Sequence, residues 1–523
     1  MTRKRASSKT RTVKTRTVKT RTVFLGLSDN KHGLSLEGVR AVAIGEAKVA
    51  LHPGALKRII ESRSFLEEEV RAEKVMYGVN TGFGVLSSVR IAQKDIAELQ
   101  MNIVRSHATG VGPLVSDTVS RAMLLLRAQS LALGFSGVRV ELIEQLIALI
   151  NRGVCPCIPE QGSVGASGDL APLAHLALVL IGEGRARYKG EILSGRAALR
   201  KIGLRPLRLT MKEGLSLING TQFMTAIGTL ALLDAEHLAD FADAASAMSL
   251  EAVRGTAAAF DSKIQALRPH PGQVAVARHM RELLGPRPSA IAKSHADCDR
   301  VQDPYSFRCI PQVHGASRDL LSFARSVLER EVRSVTDNPL VFSREREILS
   351  GGNFHGEIVA FACDALAIAM AEIANISEQR IQKLMNQSMS GLPTFLTKKG
   401  GLHSGFMMVQ VAAASIVSEN KTLCHPASVD SIPTNVDKED HVSMGAWAAR
   451  KAEKVVTNVR RVLAMELMAA AQGIDLLRPL KTTDRLEQIH RRLRKEVKVL
   501  KDDRELAPDL ERIERMIEAR VFI

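Results

Sequence analysis

The chain has 523 residues, 45% hydrophobic and 24% charged, an ordinary globular composition with length enough for a deep core. Aromatic residues make up only 4%, with three tyrosines and one tryptophan, which argues against a β-sandwich or barrel and fits a helical core of Ala, Leu, Ile, Val and Met. The formal charge is +16, but residues 1–22 carry nine Lys or Arg and no acid, so a nucleic-acid reading rests on that tail alone.

The tail runs through a threefold KTRTV repeat from Lys9 to Val23, of low complexity and without a helical apolar face. It reads as a solvated, disordered extension, with contact to nucleic acid or acidic surfaces as the alternative. An apolar h-region is absent from it, so a cytoplasmic protein is expected. Six scattered cysteines (155, 157, 298, 309, 363 and 424) fit reduced thiols, and the lone C-x-C pair is a poor zinc signal, so no metal is expected.

Leu56, Ile59, Ile60, Leu66 and Val70 follow Pro53-Gly54 at helical spacing. YGVNTGFGVLSS (Tyr77–Ser88) breaks the pattern and predicts a loop headed by a tyrosine. Helices are expected around 92–108, 118–132 and 138–151, then a loop holding GASGD, then a buried helix from Leu170 to Gly182. The charge-free run Gly214–Leu233 is too polar for a membrane span. Beyond it the helices lengthen, roughly 221–254, 317–333, 355–389, 406–421 and 441–473, as in a bundle. Polar clusters fill the loops between them: QDPYSFRCIPQ, SVTDNP, SGGNFHG and HPASVDSIPTNVDKEDHVSMG. Residues 483–523 alternate charge and apolar side chains like an exposed helix pair.

Ala166, Ser167 and Gly168 put the smallest side-chain types in a row within GASGD. The hydrolase elbow G-x-S-x-G fails, because Asp169 stands two residues after the serine and no strand precedes it. Ser167 or Asp169 as N-cap of LAPLAHLAL is one reading. The other is chemical. Attack of the Gly168 nitrogen on the Ala166 carbonyl closes a five-membered ring, and loss of water from that step and from Ser167 leaves a conjugated methylidene. Glycine and alanine at the two ends minimise the steric cost of so tight a bend. The product is an electrophile, which no unmodified side chain supplies.

GSVGASGDLAPLAHLAL closely resembles the signature of the aromatic amino-acid ammonia-lyases, whose self-made prosthetic group is 4-methylidene-imidazol-5-one (MIO). YGVNTGFG, NIVRSHATGVG, EGLSLINGTQ, QDPYSFRCIPQV, SVTDNPLVF, GGNFHGE and EDHVSMG look like further blocks of that family, in its order, over about residues 30–475. The resemblance implies a mainly α, L-aspartase/fumarase-like fold with a long central helical bundle. The basic tail (1–23) has no counterpart in the family; past it, the resemblance implies an N-terminal domain with the MIO loop (24–217) and a helical bundle domain (218–523). It also implies a homotetramer whose active sites draw residues from several subunits.

Members acting on histidine match best, which implies non-oxidative elimination of ammonia from L-histidine to give trans-urocanate. A tyrosine or phenylalanine lyase or aminomutase is the alternative, and SHATGVGPL also resembles the tyrosine aminomutases. A basic-tailed nucleic-acid-binding protein on an inactive lyase scaffold is a third reading. By resemblance, Tyr77, Tyr305 and Glu439 join Ala166, Ser167 and Gly168 as catalytic residues, with Tyr305 or Glu439 as the base for the β-proton. Arg308 offers a planar fork to the substrate carboxylate, and Asn219 and Gln302 are donors to the substrate or the MIO oxygen. Phe354 and Met407 line the pocket. His107 and Glu439 suit an imidazole ring, since a carboxylate facing a phenyl ring would be buried without a partner. Arg333 departs from the pattern, standing where the family usually has Asn before TDNP.

Overall fold

The structure, a computed structural model, describes residues 21–27, 33–295 and 301–523. The first two KTRTV repeats and Cys298 lie outside the described residues. The end of the expected tail is a correction: Arg21–Leu25 form a strand, paired in parallel with Ala47–Leu51 in the register Val23↔Val49. Val23 and Leu25 alternate onto the buried face of that strand, which is why it docks.

The chain is mainly helical. The helices expected in the first half run Pro53–Arg71, Ile96–His107, Asp117–Ala132, Val140–Arg152 and Leu170–Leu180. Their ends follow local chemistry. The Ser116 hydroxyl accepts from the Val119 N–H at 3.2 Å to open one, and Gly153 at φ 72° closes another. Strands are short, the largest sheet joining Val154–Pro156, Arg185–Tyr188 and Glu191–Ser194.

The second half packs Gln222–Ala252, Glu357–Met385 and Gly445–Leu476 against one another, with Ile310–Glu331 alongside. These three helices have 31, 29 and 32 residues, hence lengths of roughly 45 Å each. Almost every residue of Gln222–Ala252 is buried, and its Ala, Ser and Gly positions let neighbouring helices approach closely. The helix that apolar spacing starts at 317 begins instead at Ile310, after a short turn Tyr305–Arg308. Pro311 falls in its first turn, where a missing N–H costs nothing. Among the described residues no helix is long and apolar enough to cross a membrane.

Several charges inside this bundle are paired. The Arg380 guanidinium forks onto Glu466 at 2.5 and 2.8 Å, and the Ser249 and Ser377 hydroxyls donate to the same carboxylate at 2.8 and 2.6 Å. Asp243 accepts from His279 at 2.9 Å and from His314 and Arg318 at 2.7 Å each. Burial would raise its pKa, but those donors hold it well below the usual carboxylate range. Near the site, Lys212 donates to Asp337 at 2.6 Å, and Ser216 donates to the same oxygen at 2.9 Å. Such pairs contribute little over apolar packing, yet losing one partner is expensive. Arg380→Met, which leaves Glu466 with two hydroxyls only, is therefore expected to lower stability by about 3–5 kcal/mol. The urea midpoint is the measure, and an unchanged midpoint would refute this.

Candidate active site

The site is built on one close approach between two loops. Gly168 takes φ +76°, and its backbone lies against that of Gly220. A Cβ on Gly168 would fall 2.2 Å from the Gly220 carbonyl oxygen, so only glycine fits. The Asp169 N–H donates to that oxygen at 2.7 Å. The Asp169 side chain accepts from the Phe223 and Met224 N–H groups at 3.0 Å each, and from the Ser163 hydroxyl at 3.0 Å. Those N–H groups belong to the first turn of Gln222–Ala252, where they have no helical partner. Asp169 thus caps a distant helix rather than its own, which carries no side-chain cap bond. Burial pushes the Asp169 carboxyl up to about 7, against the pull of its three hydrogen bonds.

Ser167 stands out from this anchored backbone. Its hydroxyl donates to Glu439 Oε1 at 2.8 Å, and its carbonyl accepts from Asn219 Nδ2 at 2.9 Å. Asn219 is itself held by Arg127, fully buried, whose Nη1 donates to the Asn219 carbonyl at 2.6 Å. Burial lowers the Arg127 pKa to about 10, with the Asp337 charge opposing. Ser443 and Met444 fasten the other end of the loop, donating to the Gly165 and Val164 carbonyls at 2.9 and 2.8 Å.

Glu439 comes from the loop between the helices Met407–Leu423 and Gly445–Leu476. Thr434 Oγ1 donates to its Oε2 at 2.7 Å, and the two backbones exchange hydrogen bonds at 3.0 and 3.3 Å. Of the four residues between, Asn435, Val436 and Asp437 sit at φ 53°, 53° and 58°. Three successive side-chain-bearing residues in the left-handed region are strained, a cost of order 1–3 kcal/mol each. Gly84, at φ +55°, admits this turn. A Cβ there would sit 2.2 Å from the Asn435 amide nitrogen.

Tyr77, Ala166, Ser167, Asn219, Phe354 and Glu439 share the wall of one cavity of about 500 Å³. A second cavity of about 240 Å³, lined by His107, Ser163 and Gly168, shares Ala166 and Glu439 with it. His107 Nδ1 donates to the Ile103 carbonyl at 2.8 Å, which leaves Nε2 as the nitrogen available to a ligand. Burial lowers the His107 pKa, with that hydrogen bond and the Glu439 charge opposing. Tyr77 Oη accepts from the Gly84 N–H at 3.3 Å, and the Tyr77 ring meets Phe83 edge-on.

Gln302, Tyr305, Arg308 and Met407 do not line either cavity of this chain. Tyr305 is 70% exposed, with the Arg308 guanidinium 4.4 Å above its ring and Arg308 Nε donating to the Asp303 carbonyl at 3.1 Å. Missed from the sequence were Thr434, Ser163, Gly220 and Arg127, and the reach of Asp169 to a second helix. Asp169, Gly220, Ser163 and Thr434 lie inside stretches quoted above (GASGD, EGLSLINGTQ, GSVGASGD and HPASVDSIPTNVDKEDHVSMG), but nothing local singled out their partners, and Arg127 had no signal at all.

Residues 34–495 match the family model described as aromatic amino acid lyase. A protein named histidine ammonia-lyase in Anaeromyxobacter dehalogenans (strain 2CP-C) is 53% identical over 492 residues, covering 93% of this chain and 97% of its own. One of the same name in Sorangium cellulosum (strain So ce56) is 53% identical over 499 residues, covering 94% and 97%. Among solved structures, histidine ammonia-lyase from Trypanosoma cruzi superposes with a TM-score of 0.88 at 42% identity, covering 96% of this chain and 94% of that one. Tyrosine aminomutase from Streptomyces globisporus gives 0.89 at 38% identity, covering 94% and 96%.

The raised pKa of Asp169 ties stability to pH. Folded, the carboxyl holds its proton more tightly than at its ordinary 3.8, so its contribution to stability is greatest below that pH and is lost as pH rises through about 7. Asp169→Asn keeps an acceptor for the helix N–H groups without the charge. The stability of the natural protein relative to this variant should therefore fall between about pH 4 and pH 7. A difference in urea midpoint that stays constant across that range would contradict it.

Proposed function

The chain belongs to the aromatic amino acid lyase family, and we propose that it acts as a histidine ammonia-lyase, removing ammonia from L-histidine without oxidation to give trans-urocanate. The relatives of that name support the reaction, and one observation carries the substrate: Glu439 and His107 line the same small cavity, with Glu439 also bonded to Ser167. A substrate imidazole offers an N–H to the carboxylate and a second polar nitrogen to His107. A phenyl ring offers neither, and would give the carboxylate and His107 no polar partner on the substrate.

The loop residues fit MIO formed from Ala166, Ser167 and Gly168. The bend at Gly168 is already imposed by Gly220, and Ala166 and Gly168 leave the ring atoms uncrowded. The Ser167 carbonyl, which would remain as the ring oxygen, already accepts from Asn219 Nδ2 at 2.9 Å. Once formed, the group would supply an electrophile able to capture the substrate amine and make it a better leaving group. Asn219, which holds the Ser167 carbonyl, would steady negative charge on that oxygen, backed by the Arg127 cation behind it. Glu439 pairs with the imidazole or receives the β-proton, and Tyr77 and Phe354 close the wall that keeps water out.

A homotetramer accounts for the residues that this reading still needs. Tyr305, Arg308, Gln302 and Met407 stand away from their own chain's cavity, as expected of groups that complete the site of a neighbouring copy. Phe323, Phe361 and Trp447, each about two-fifths exposed on long helices, are suitable contacts between copies. The cytoplasm, where histidine is degraded, suits such an enzyme.

The test is ultraviolet detection of urocanate from L-histidine, beside parallel reactions with L-tyrosine and L-phenylalanine. Ser167→Ala should lower turnover on the order of a thousand-fold or more. His107→Leu should reduce kcat/KM for histidine by about 10–200-fold while sparing the aromatic substrates. Coumarate or cinnamate formed in place of urocanate would overturn the substrate assignment.

A further inference from the structure

We infer that Glu439 acts before any substrate arrives, by carrying the proton that lets the Ser167 hydroxyl depart as water during maturation of the prosthetic group. The inference rests on the MIO reading above.

The Ser167 hydroxyl, as encoded, donates to Glu439 Oε1 at 2.8 Å. The contact vanishes once the hydroxyl is lost, so a contact to a substrate ring cannot be its purpose. The carboxyl does not drift onto Ser167 by chance. Thr434 holds Oε2 from the far side at 2.7 Å, and the strained turn through Asn435, Val436 and Asp437 fixes the backbone that presents it. The other carboxyl beside the loop, Asp169, is turned away, its oxygens taken by Ser163, Phe223 and Met224. Asn219 touches only the Ser167 carbonyl and has no proton to give at Oγ.

Two molecules of water leave in maturation. In the first loss, the Gly168 nitrogen bonds to the Ala166 carbonyl carbon. That carbonyl oxygen departs with the Gly168 and Ser167 amide protons. In the second, the Ser167 Cα–H and Cβ–Oγ bonds break as the Cα–Cβ double bond forms. The electron pair of the Cβ–Oγ bond leaves on oxygen, which is a poor leaving group unless it is protonated. Across this 2.8 Å contact Glu439 passes a proton to Oγ, with the direction of the observed hydrogen bond reversed for the step, and the proton released from Cα returns to the Glu439 carboxylate. The step thus consumes nothing besides the chain's own atoms. Thr434 is a positioning residue: it acts on Ser167 only through the orientation of Glu439.

Intact-protein mass spectrometry separates the steps without measuring turnover. The natural chain should be two water masses lighter than its encoded sequence. Glu439→Gln, which keeps a hydrogen bond but passes no proton, should stop one water short. Thr434→Val should give a mixture of one-water and two-water losses, and Thr434→Ser should restore the complete loss. If Glu439→Gln does not fold, Glu439→Asp takes its place, with the second loss expected to grow in over hours. A Glu439→Gln or Glu439→Asp protein that loses both waters as promptly as the natural chain overturns the inference and leaves the MIO reading standing. A natural chain at its full encoded mass overturns the MIO reading itself, and the inference falls with it.

Discussion

The rest of the site depends on the contact between Gly168 and Gly220. Neither backbone would come so close with a side chain at Gly168, and the carbonyl of Gly220 serves at once as steric stop and as acceptor for the Asp169 N–H. That contact sets the bend of the serine loop. Asp169 then ties the bend to the first turn of Gln222–Ala252, a helix almost wholly enclosed by the bundle. A loop is ordinarily the mobile part of a fold. Here it inherits the rigidity of the deepest element, which is what the proposed ring closure between two of its own backbone atoms would require.

The two sides of the cavity are held by different means. Behind Ser167 lie fully buried charges, Arg127, Lys212 and Asp337, each costly to desolvate and each answered by hydrogen bonds. Glu439 faces them from a loop that is half open to solvent and fixed by local backbone strain and one threonine hydroxyl. The buried side provides a preorganised field around the Ser167 carbonyl. The looser side offers a carboxylate that lines the cavity itself. Asp243, by contrast, is buried among permanent donors deep in the bundle and faces no cavity group.

The architecture was legible in the sequence because a helical bundle writes itself in local spacing. Ala, Leu and Met recur at the period of one helix face over thirty residues, and the expected helices fall within a few residues of those observed. The serine loop was legible through its small residues, and Tyr77, His107, Asn219, Phe354 and Glu439 were legible by resemblance and do meet around it. What stayed hidden acts at long range. Nothing in the spacing of Asp169 tells that it caps a helix beginning at Gln222 rather than the one at Leu170, since either set of N–H groups would donate to it equally well by local rules. Thr434 was hidden because Asn435, Val436 and Asp437 adopt a conformation that glycine would normally announce. The helix start at Ile310 was masked by a run of polar residues and a proline that reads as a loop until its place in the first turn is seen.

Ser167, Gly168, Asn219 and Glu439 meet within one chain, whereas Tyr305 and Arg308 lie on its surface, stacked on each other and away from the cavity. These two groups therefore differ in what they ask of assembly. Chemistry confined to the first group needs only a folded protomer, because its atoms are brought together by intrachain contacts of hydrogen-bond length. In the proposed homotetramer, chemistry that needs the second group waits for another copy to present it. On the proposed reading, the chain can prepare its electrophile before it has partners, but cannot bring a phenol and a guanidinium to bear on substrate until it has them. An exposed electrophile is a hazard in a cell rich in amines and thiols, and the same arrangement limits it. The nucleophile that reaches the cavity first must pass a carboxylate placed to favour a cationic or N–H-bearing ring, and the surface that completes the site also covers it.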